Sequence, residues 1–186
     1  YADKIIMNDF LSSNNIIYQA FFAEGIYDVG KLYSIIEYYN SINPDSVKDN
    51  YFSDNFGDKF FDYRNSKLIG YIREDIERKR YELTPKEYAI LLASLIYSID
   101  KIANTVGHFD AYIKKEIVYH PLSLQLIKPL EPKMVEIHKE DSNMLARRIT
   151  ADVAYIDPPY NSRQYSRFYH IYENLVEWKK PELFGV

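Results

Sequence analysis

Hydrophobic residues recur along the first part of the chain with first a strand-like and then a helical spacing. Residues 4–9 are a short apolar run that ends in two polar residues, which predicts a buried strand with polar side chains at its carboxyl end. Residues 14–23 and 32–39 carry apolar side chains at helical spacing and predict two helices. Residues 41–65 are rich in Asn, Asp, Ser and Gly, so we expect irregular connections there.

Two more strongly patterned helices are predicted next. Residues 66–80 place apolar side chains opposite a charged face. The stretch Thr84-Pro85-Lys86-Glu87 has the spacing of a capping box with proline at the first helical position. We expect the helix that it starts to run to about Asn104 and to end before Gly107. Five apolar side chains should be buried on it, namely Leu91, Leu92, Leu95, Ile96 and Ile99.

Beyond Pro121 the pattern changes to alternating strands and helices. Residues 133–138 and 152–156 predict strands, and residues 141–149 and 165–178 predict helices. Strands that alternate with helices indicate a parallel α/β sheet covered on both faces. The ligands of such a sheet bind at the carboxyl ends of its strands.

Composition narrows the class of protein. The chain has 186 residues, 47% hydrophobic and 27% charged, as in an ordinary globular protein. It has no cysteine, which excludes disulfides, thiolate metal sites and a cysteine nucleophile, and its four histidines show no metal spacing. No apolar run approaches the roughly 18 residues of a membrane span. We therefore expect a cytoplasmic protein without metal or membrane. The net charge of −4 argues against a wholly basic nucleic-acid binder but permits a local basic face.

One phosphate-binding pattern is nearly matched and is rejected. Residues 25–32 follow Gly-x4-Gly-Lys, but Leu32 stands where a magnesium-binding hydroxyl residue is required. The preceding residues are helical in pattern rather than strand-like. A glycine that ends one helix before the next explains the spacing better.

The sequence Asp157-Pro158-Pro159-Tyr160 directly follows the predicted strand at 152–156. Proline cannot donate to a sheet ladder, so the strand must stop there, and consecutive prolines fix the direction of the preceding backbone. A carboxylate and a carbonyl held in this way can accept two hydrogen bonds from one amino group, and an adjacent aromatic ring can stack on the group's planar ring. The structural alternative is a Pro-Pro turn with Asp as a turn former and Tyr as filler.

Residues 154–165 resemble the catalytic segment of DNA adenine-N6 methyltransferases that use S-adenosylmethionine, and residues 103–114 look like the helical region of one bacterial subgroup of them. The resemblance implies an α/β fold in which a partial, Rossmann-like methyltransferase sheet carries a mainly helical insert. Residues 1–40 and 124–186 would form the catalytic part. Residues 41–123 would form the insert and recognise the target in duplex DNA.

The resemblance also implies roles for individual residues. Asp157, helped by the Pro158 carbonyl, would accept hydrogen bonds from the adenine N6 amino group, and Tyr160 would stack on the flipped base. Asp9 would lie near the ribose hydroxyls of the donor, and Asp141 near its adenine amino group. For both aspartates, capping a helix or turn is the alternative. Four residues that follow the motif would contact DNA, namely Asn161, Arg163, Tyr165 and Arg167. The two arginines would bind phosphates beside the flipped nucleotide.

The chain departs from the family at one point. Members carry a Phe-x-Gly-x-Gly donor loop after the first strand, which should lie just upstream of Ile5, and none of the six glycines here forms Gly-x-Gly. With Tyr1 at the start, we expect a piece of a longer polypeptide that binds donor poorly and is inactive alone; a trimmed terminus is the alternative. A sheet without its central strand would expose apolar surface and invite association.

Three functions stay open on these residues. The favoured one is adenine-N6 methylation of DNA, of the restriction–modification type. The second is a DNA-binding relative without catalysis, which the missing glycine loop suggests. The third is methylation of another amino acceptor, but cytosine-N4 enzymes usually have Ser at the first motif position, and RNA or protein enzymes often Asn, where this chain has Asp157.

Overall fold

The computed structural model describes residues 3–130, 134–158 and 165–183. These ranges hold two strands and eight α-helices, in the order β1 Lys4–Asn8, α1 Ser12–Phe22, α2 Val29–Ser41, α3 Tyr51–Phe56, α4 Tyr63–Arg78, α5 Pro85–Asp100, β2 Met134–His138, α6 Ser142–Ala146, α7 Tyr165–Phe168 and α8 His170–Glu177. Short 3-10 turns cover Pro44–Ser46 and Arg80–Glu82.

The two strands form a parallel pair, in which Lys4 lies opposite Met134 and Asn8 opposite His138. Both strands were predicted, the first from its apolar run and the second from its alternating pattern. The first was expected to be buried, but it is only partly buried. A parallel pair needs a crossover connection, and here most of the helices lie within it. The described residues therefore form a partial α/β fold, with both carboxyl ends of the strands at one edge.

The prediction of a strand at residues 152–156 is wrong for this structure. The segment has no regular secondary structure, and Val153, Tyr155 and Ile156 are 83%, 89% and 80% exposed. A strand is stabilised by backbone hydrogen bonds to a neighbouring strand, and no strand of the described ranges runs beside this segment. Its apolar sequence alone cannot supply that partner.

The predicted helices are otherwise present, with shifted ends. The capping box of α5 forms as expected: the Thr84 hydroxyl accepts from the Glu87 amide at 3.2 Å, and the Glu87 carboxylate accepts from the Thr84 amide at 2.9 Å. The helix ends at Asp100 rather than near Asn104, and Gly107 lies in the following loop with φ +103°. The region from 165 to 178 is divided into α7 and α8.

Residues 41–65 are more regular than predicted, because Asn50 caps α3. Its side-chain oxygen accepts from the amides of Phe52 and Ser53, and its side-chain nitrogen donates to the Lys67 carbonyl of α4 at 2.9 Å. Gly70 makes this contact possible, since a Cβ at that position would lie 1.9 Å from the Asn50 amide oxygen. The α3–α4 junction thus depends on one amide and the absence of one side chain.

One hydrophobic core joins the helices on both sides of the predicted domain boundaries. Helix α5 lies at its centre, and the five apolar residues predicted to be buried on it are at most 4% exposed. Ile16 of α1 and Ile171 and Leu175 of α8 belong to the same core. The division into a catalytic part and an insert at 41–123 stays a prediction, because a shared core neither excludes nor requires a separate recognition role.

The long connection after α5 is held by side chains that pair with its backbone. Asn65 accepts from the Leu122 amide and donates to the His120 carbonyl, at 3.1 and 2.8 Å. Asn40 makes the same pair of bonds to the amide and carbonyl of Leu124. These amides satisfy backbone groups of a segment without secondary structure, so it can lie against the core.

Buried charges complete the ends of two helices. Arg73 of α4 is 1% exposed; its guanidinium donates to the carbonyls of Leu175 and Val176 at the end of α8, and to Glu77 at 2.8 Å. Lys86 of α5 is 6% exposed and donates to the carbonyls of Gln19 and Ala23 at the end of α1, at 3.0 and 2.7 Å. Burial lowers the pKa of Lys86. Cations at these positions donate to carbonyls at the ends of helices and oppose the negative end of the helix dipole.

We expect Arg73→Met to destabilise the fold far more than Arg78→Met on the same helix. The first change leaves two helix-end carbonyls and Glu77 without their buried donor, a loss of about 3–5 kcal/mol. The second removes an exposed guanidinium from Asp75, which is buried but keeps its bonds from Lys79 and Tyr39, so the loss should be only about 0–1 kcal/mol. Urea unfolding followed by circular dichroism measures both, and equal losses would show that Arg73 is dispensable for docking α8.

Candidate active site at the carboxyl edge of the sheet

The carboxyl ends of β1 and β2 are joined through Asn8. Its side-chain amide donates to the Glu140 carbonyl at 3.0 Å and accepts from the Glu140 amide at 3.1 Å. The same nitrogen donates to the Ser142 hydroxyl at 3.1 Å. The Asn8 side chain thus pairs with the Glu140 backbone as a neighbouring strand would. This holds the loop after β2 beside the loop after β1.

Asp9 lies where the sequence predicted it, directly after β1, and is half-buried. One carboxylate oxygen accepts from the Leu11 amide at 2.8 Å and the other from the Asn14 side chain at 2.8 Å. Each oxygen can accept a further hydrogen bond. The orientation of this carboxylate is therefore set by the start of α1.

Asp141 follows β2 and caps α6. One oxygen accepts from the amides of Asn143 and Met144 at 2.9 and 3.1 Å, so the structural alternative raised for this residue is present. The residue is exposed, and capping leaves acceptor capacity on the carboxylate. A role in holding the donor stays a prediction for Asp141, as it does for Asp9.

Asp157 and Pro158 are exposed at the end of the described range 134–158. Asp157 is not isolated, because it interacts with another group of the protein. Tyr160, Asn161 and Arg163 lie outside the described residues. The predicted roles of all five on adenine or DNA stay predictions.

The pKa of Tyr165 is affected by charges from two distant parts of the chain. Burial, then the negative charge of Asp157, the neighbouring Tyr169 and the negative charge of Asp9 all raise the pKa of its phenol. Asp9 comes from the first strand and Asp157 from the proline motif, about 150 residues later in the chain. Charges from two distant parts of the chain therefore raise the same pKa.

Arg167 has a protein partner. Its guanidinium forms an ion pair with Asp110, whose side chain is only 10% exposed. Nearby, the Phe109 amide donates to the Phe168 carbonyl at 2.8 Å. These contacts attach the connection after α5 to α7, next to the proline motif. The predicted contact of Arg167 with a DNA phosphate stays a prediction.

The sequence did not point to Glu173, which meets this edge from α8. Its two carboxylate oxygens accept from the amides of Ser12 and Ser13 at 2.9 and 2.6 Å. The only local signal was that Leu11, the residue before α1, has no capping side chain and that the first turn of α1 has no acidic residue. Which distant carboxylate completes the helix could not be inferred from spacing.

The donor set of this edge fits a ligand rich in hydrogen-bond donors. Carboxylates at the ends of two adjacent parallel strands, Asp9 and Asp141, are suited to hydroxyl and amino groups. The part of the chain described here holds no cluster of His, Asp and Glu that could bind a metal ion. Nor does any helix in those ranges have the length and apolar character to cross a membrane.

Comparison with known families identifies the class of protein. The family model described as "D12 class N6 adenine-specific DNA methyltransferase" matches residues 2–186. The chain belongs to this family, which confirms the resemblance drawn from residues 154–165.

Particular relatives are modification enzymes. Modification methylase LlaI of Lactococcus lactis subsp. lactis is 38% identical over 132 residues, covering 65% of this chain and 21% of that protein. Modification methylase StsI of Streptococcus sanguinis is 37% identical, covering 68% and 20%. Type II methyltransferase M.NlaIII of Neisseria lactamica is 36% identical, covering 63% and 37%. The matches thus span a fifth to somewhat over a third of the relatives' length. No solved structure matches the chain.

We expect Asn8→Asp to destabilise the carboxyl edge. A carboxylate would face the Glu140 carbonyl instead of donating to it, a loss of about 1–3 kcal/mol. Asn143→Asp is the matched control, because this exposed residue lies in the first turn of α6, where a carboxylate is tolerated. Urea unfolding of the unliganded protein measures the difference, and a neutral Asn8→Asp would contradict the joining role of Asn8.

Acidification should weaken the fold through His170, the first residue of α8. Burial lowers its pKa below the usual 6.5, although the Arg167 carbonyl and the charge of Asp110 oppose this. The unfolded chain therefore binds more protons than the folded one, so stability is full above about pH 6.5 and is lost as the pH falls through the lower folded pKa. Denaturation midpoints at pH 7.5 and 5.5 should differ less in His170→Gln than in the exposed-site control His120→Gln. Identical pH slopes in the two variants would refute this.

Proposed function

We propose that the protein carrying these residues transfers a methyl group from S-adenosylmethionine to the N6 amino group of an adenine extruded from duplex DNA. Membership of the family supports this, as does the shared action of Asp9 and Asp157 on Tyr165. The family match carries the proposal, because it covers residues 2–186 and therefore includes the proline motif at Asp157 and the position of Asp9.

The proposed fold is a Rossmann-like methyltransferase sheet. The parallel pair β1–β2, with an acidic residue after each strand, supports it. In this arrangement Asp9 holds the ribose hydroxyls of the donor, and Asp141 accepts from its adenine amino group through the acceptor capacity that capping leaves free.

The acceptor side uses the proline motif. S-adenosylmethionine supplies, when bound, an electrophilic methyl group on a sulfonium sulfur. Asp157 and the Pro158 carbonyl accept hydrogen bonds from the N6 amino group, which orients the nitrogen and increases its electron density. Transfer would form the N6–CH3 bond and break the S–CH3 bond, which leaves the donor as the thioether S-adenosylhomocysteine, and Asp157 would accept the proton that N6 loses. Tyr160 stacks on the base and offsets part of the few kcal/mol lost on extrusion.

Residues 41–123 are proposed to recognise the target sequence. The contacts of Phe109 and Asp110 with α7 support this, because they place part of this region directly beside the segment that follows the motif. Asn161, Arg163, Tyr165 and Arg167 would contact the DNA around the extruded nucleotide. Phosphate would then compete with Asp110 for Arg167. Since the relatives are named as modification and type II methyltransferases, we propose a restriction–modification role.

Asp157→Asn in the complete protein tests the activity. The amide nitrogen cannot accept from the adenine amino group, so formation of labelled N6-methyladenine in duplex DNA should fall by about two to three orders of magnitude. Asp152→Asn, the same change at an exposed position nearby, should leave the rate unchanged.

Three results would contradict the proposal. Unchanged methylation in Asp157→Asn would show that Asp157 takes no part in the reaction. DNA binding by the wild-type protein without methyl transfer would identify a non-catalytic binder. Label in N4-methylcytosine, RNA or protein instead of N6-methyladenine would identify another acceptor.

A further inference from the structure

The start of α1 presents its free amides to two carboxylates that lie far apart in the chain. The Leu11 amide donates to Asp9, and the next two amides, of Ser12 and Ser13, donate to Glu173. Ser12 and Ser13 are 8% and 1% exposed, so water is a poor alternative partner for these groups. Glu173 therefore performs the capping that Leu11 cannot.

We propose that Glu173 is a positioning residue for donor binding, acting through Asp9. Two other carboxylates are already bonded beside the Ser12 and Ser13 amides: Asp9 accepts from the adjacent Leu11 amide, and Glu177 accepts from the Ser12 hydroxyl at 3.0 Å. Without Glu173, Asp9 would shift from its present partners, Leu11 and Asn14, toward the vacated amides, as aspartates before helices commonly cap them. Glu173 keeps Asp9 turned toward the donor, so this inference rests on the proposed function.

The same contact links the two halves of the site. Glu173 lies in the first turn of α8, and α8 follows the proline motif and α7. The carboxylate thus fixes the helix after the acceptor motif against the loop that carries the donor residue. A shift of one would be transmitted to the other through two short hydrogen bonds.

The test is donor affinity in the complete protein, measured by titration calorimetry with S-adenosylmethionine. In Glu173→Gln only one of the two acceptors remains and the negative charge is lost. The dissociation constant should rise by about tenfold, the equivalent of one hydrogen bond to a charged group. In steady-state kinetics KM for the donor should rise by a similar factor while kcat changes little.

Glu74→Gln is the matched control. Glu74 accepts from Trp178 at 2.8 Å and from Lys180 at 2.6 Å, and so anchors the other end of α8 without touching α1. It should lower thermal stability to a comparable extent and leave donor affinity within about twofold. Equal losses of donor affinity in both variants would show that Glu173 only docks α8 against the fold, and this would overturn the inference.

A double-mutant cycle with Asp9→Asn separates the mechanism from an independent effect. If Glu173 acts through Asp9, Glu173→Gln should change affinity less than about twofold in the Asp9→Asn background. A tenfold loss in both backgrounds would overturn the inference, as would unchanged affinity in Glu173→Gln. If the wild-type protein bound no S-adenosylmethionine, the proposed function itself would fail, and the inference would fail with it.

Discussion

The constraint on which the described structure depends is the need to satisfy backbone groups at buried helix ends. An α-helix leaves four amides and four carbonyls without internal partners, and helices packed around one core cannot all turn these ends to water. Here charged side chains of other helices supply the partners: Arg73 for the end of α8, Lys86 for the end of α1, and Glu173 for its start. Each bond joins two elements that are distant in sequence. The same bonds that cap the helices therefore also hold the helices against one another.

This arrangement ties the carboxyl edge of the sheet, the predicted active site, to the helical region. Helix α8 is held at its start through Glu173, beside this edge, and at its end by Arg73, within the predicted insert. The proline motif precedes α7 and α8 in the chain, and Asp110 and Phe109 contact α7 from the connection after α5. A change in the helical region can therefore reach α7 and α8 through these hydrogen bonds and ion pairs.

Local signals in the sequence were sufficient where the physics is local. The capping box at Thr84 and Glu87 forms because both partners lie within one turn, and the apolar spacing of α5 correctly identified its buried side chains. Helix α3 was not predicted because Ser53, instead of the usual Glu or Gln, completes its capping box.

The prediction of a strand at residues 152–156 was wrong because pairing needs a neighbouring strand that their own pattern cannot specify. The motif around Asp157 identified the family, whereas Glu173 was invisible, because its partners are amides about 160 residues earlier.

Gly70 has a consequence for how this family member can diversify. Its missing side chain leaves room for the Asn50 amide that starts α3 and bonds to α4. Any larger residue would eject that amide and detach the two helices at once. Substitutions are therefore tolerated at outward positions such as Tyr81, which is 98% exposed, while the junction beneath stays fixed. The surface of this helical region can diverge without rebuilding the packing between α3 and α4.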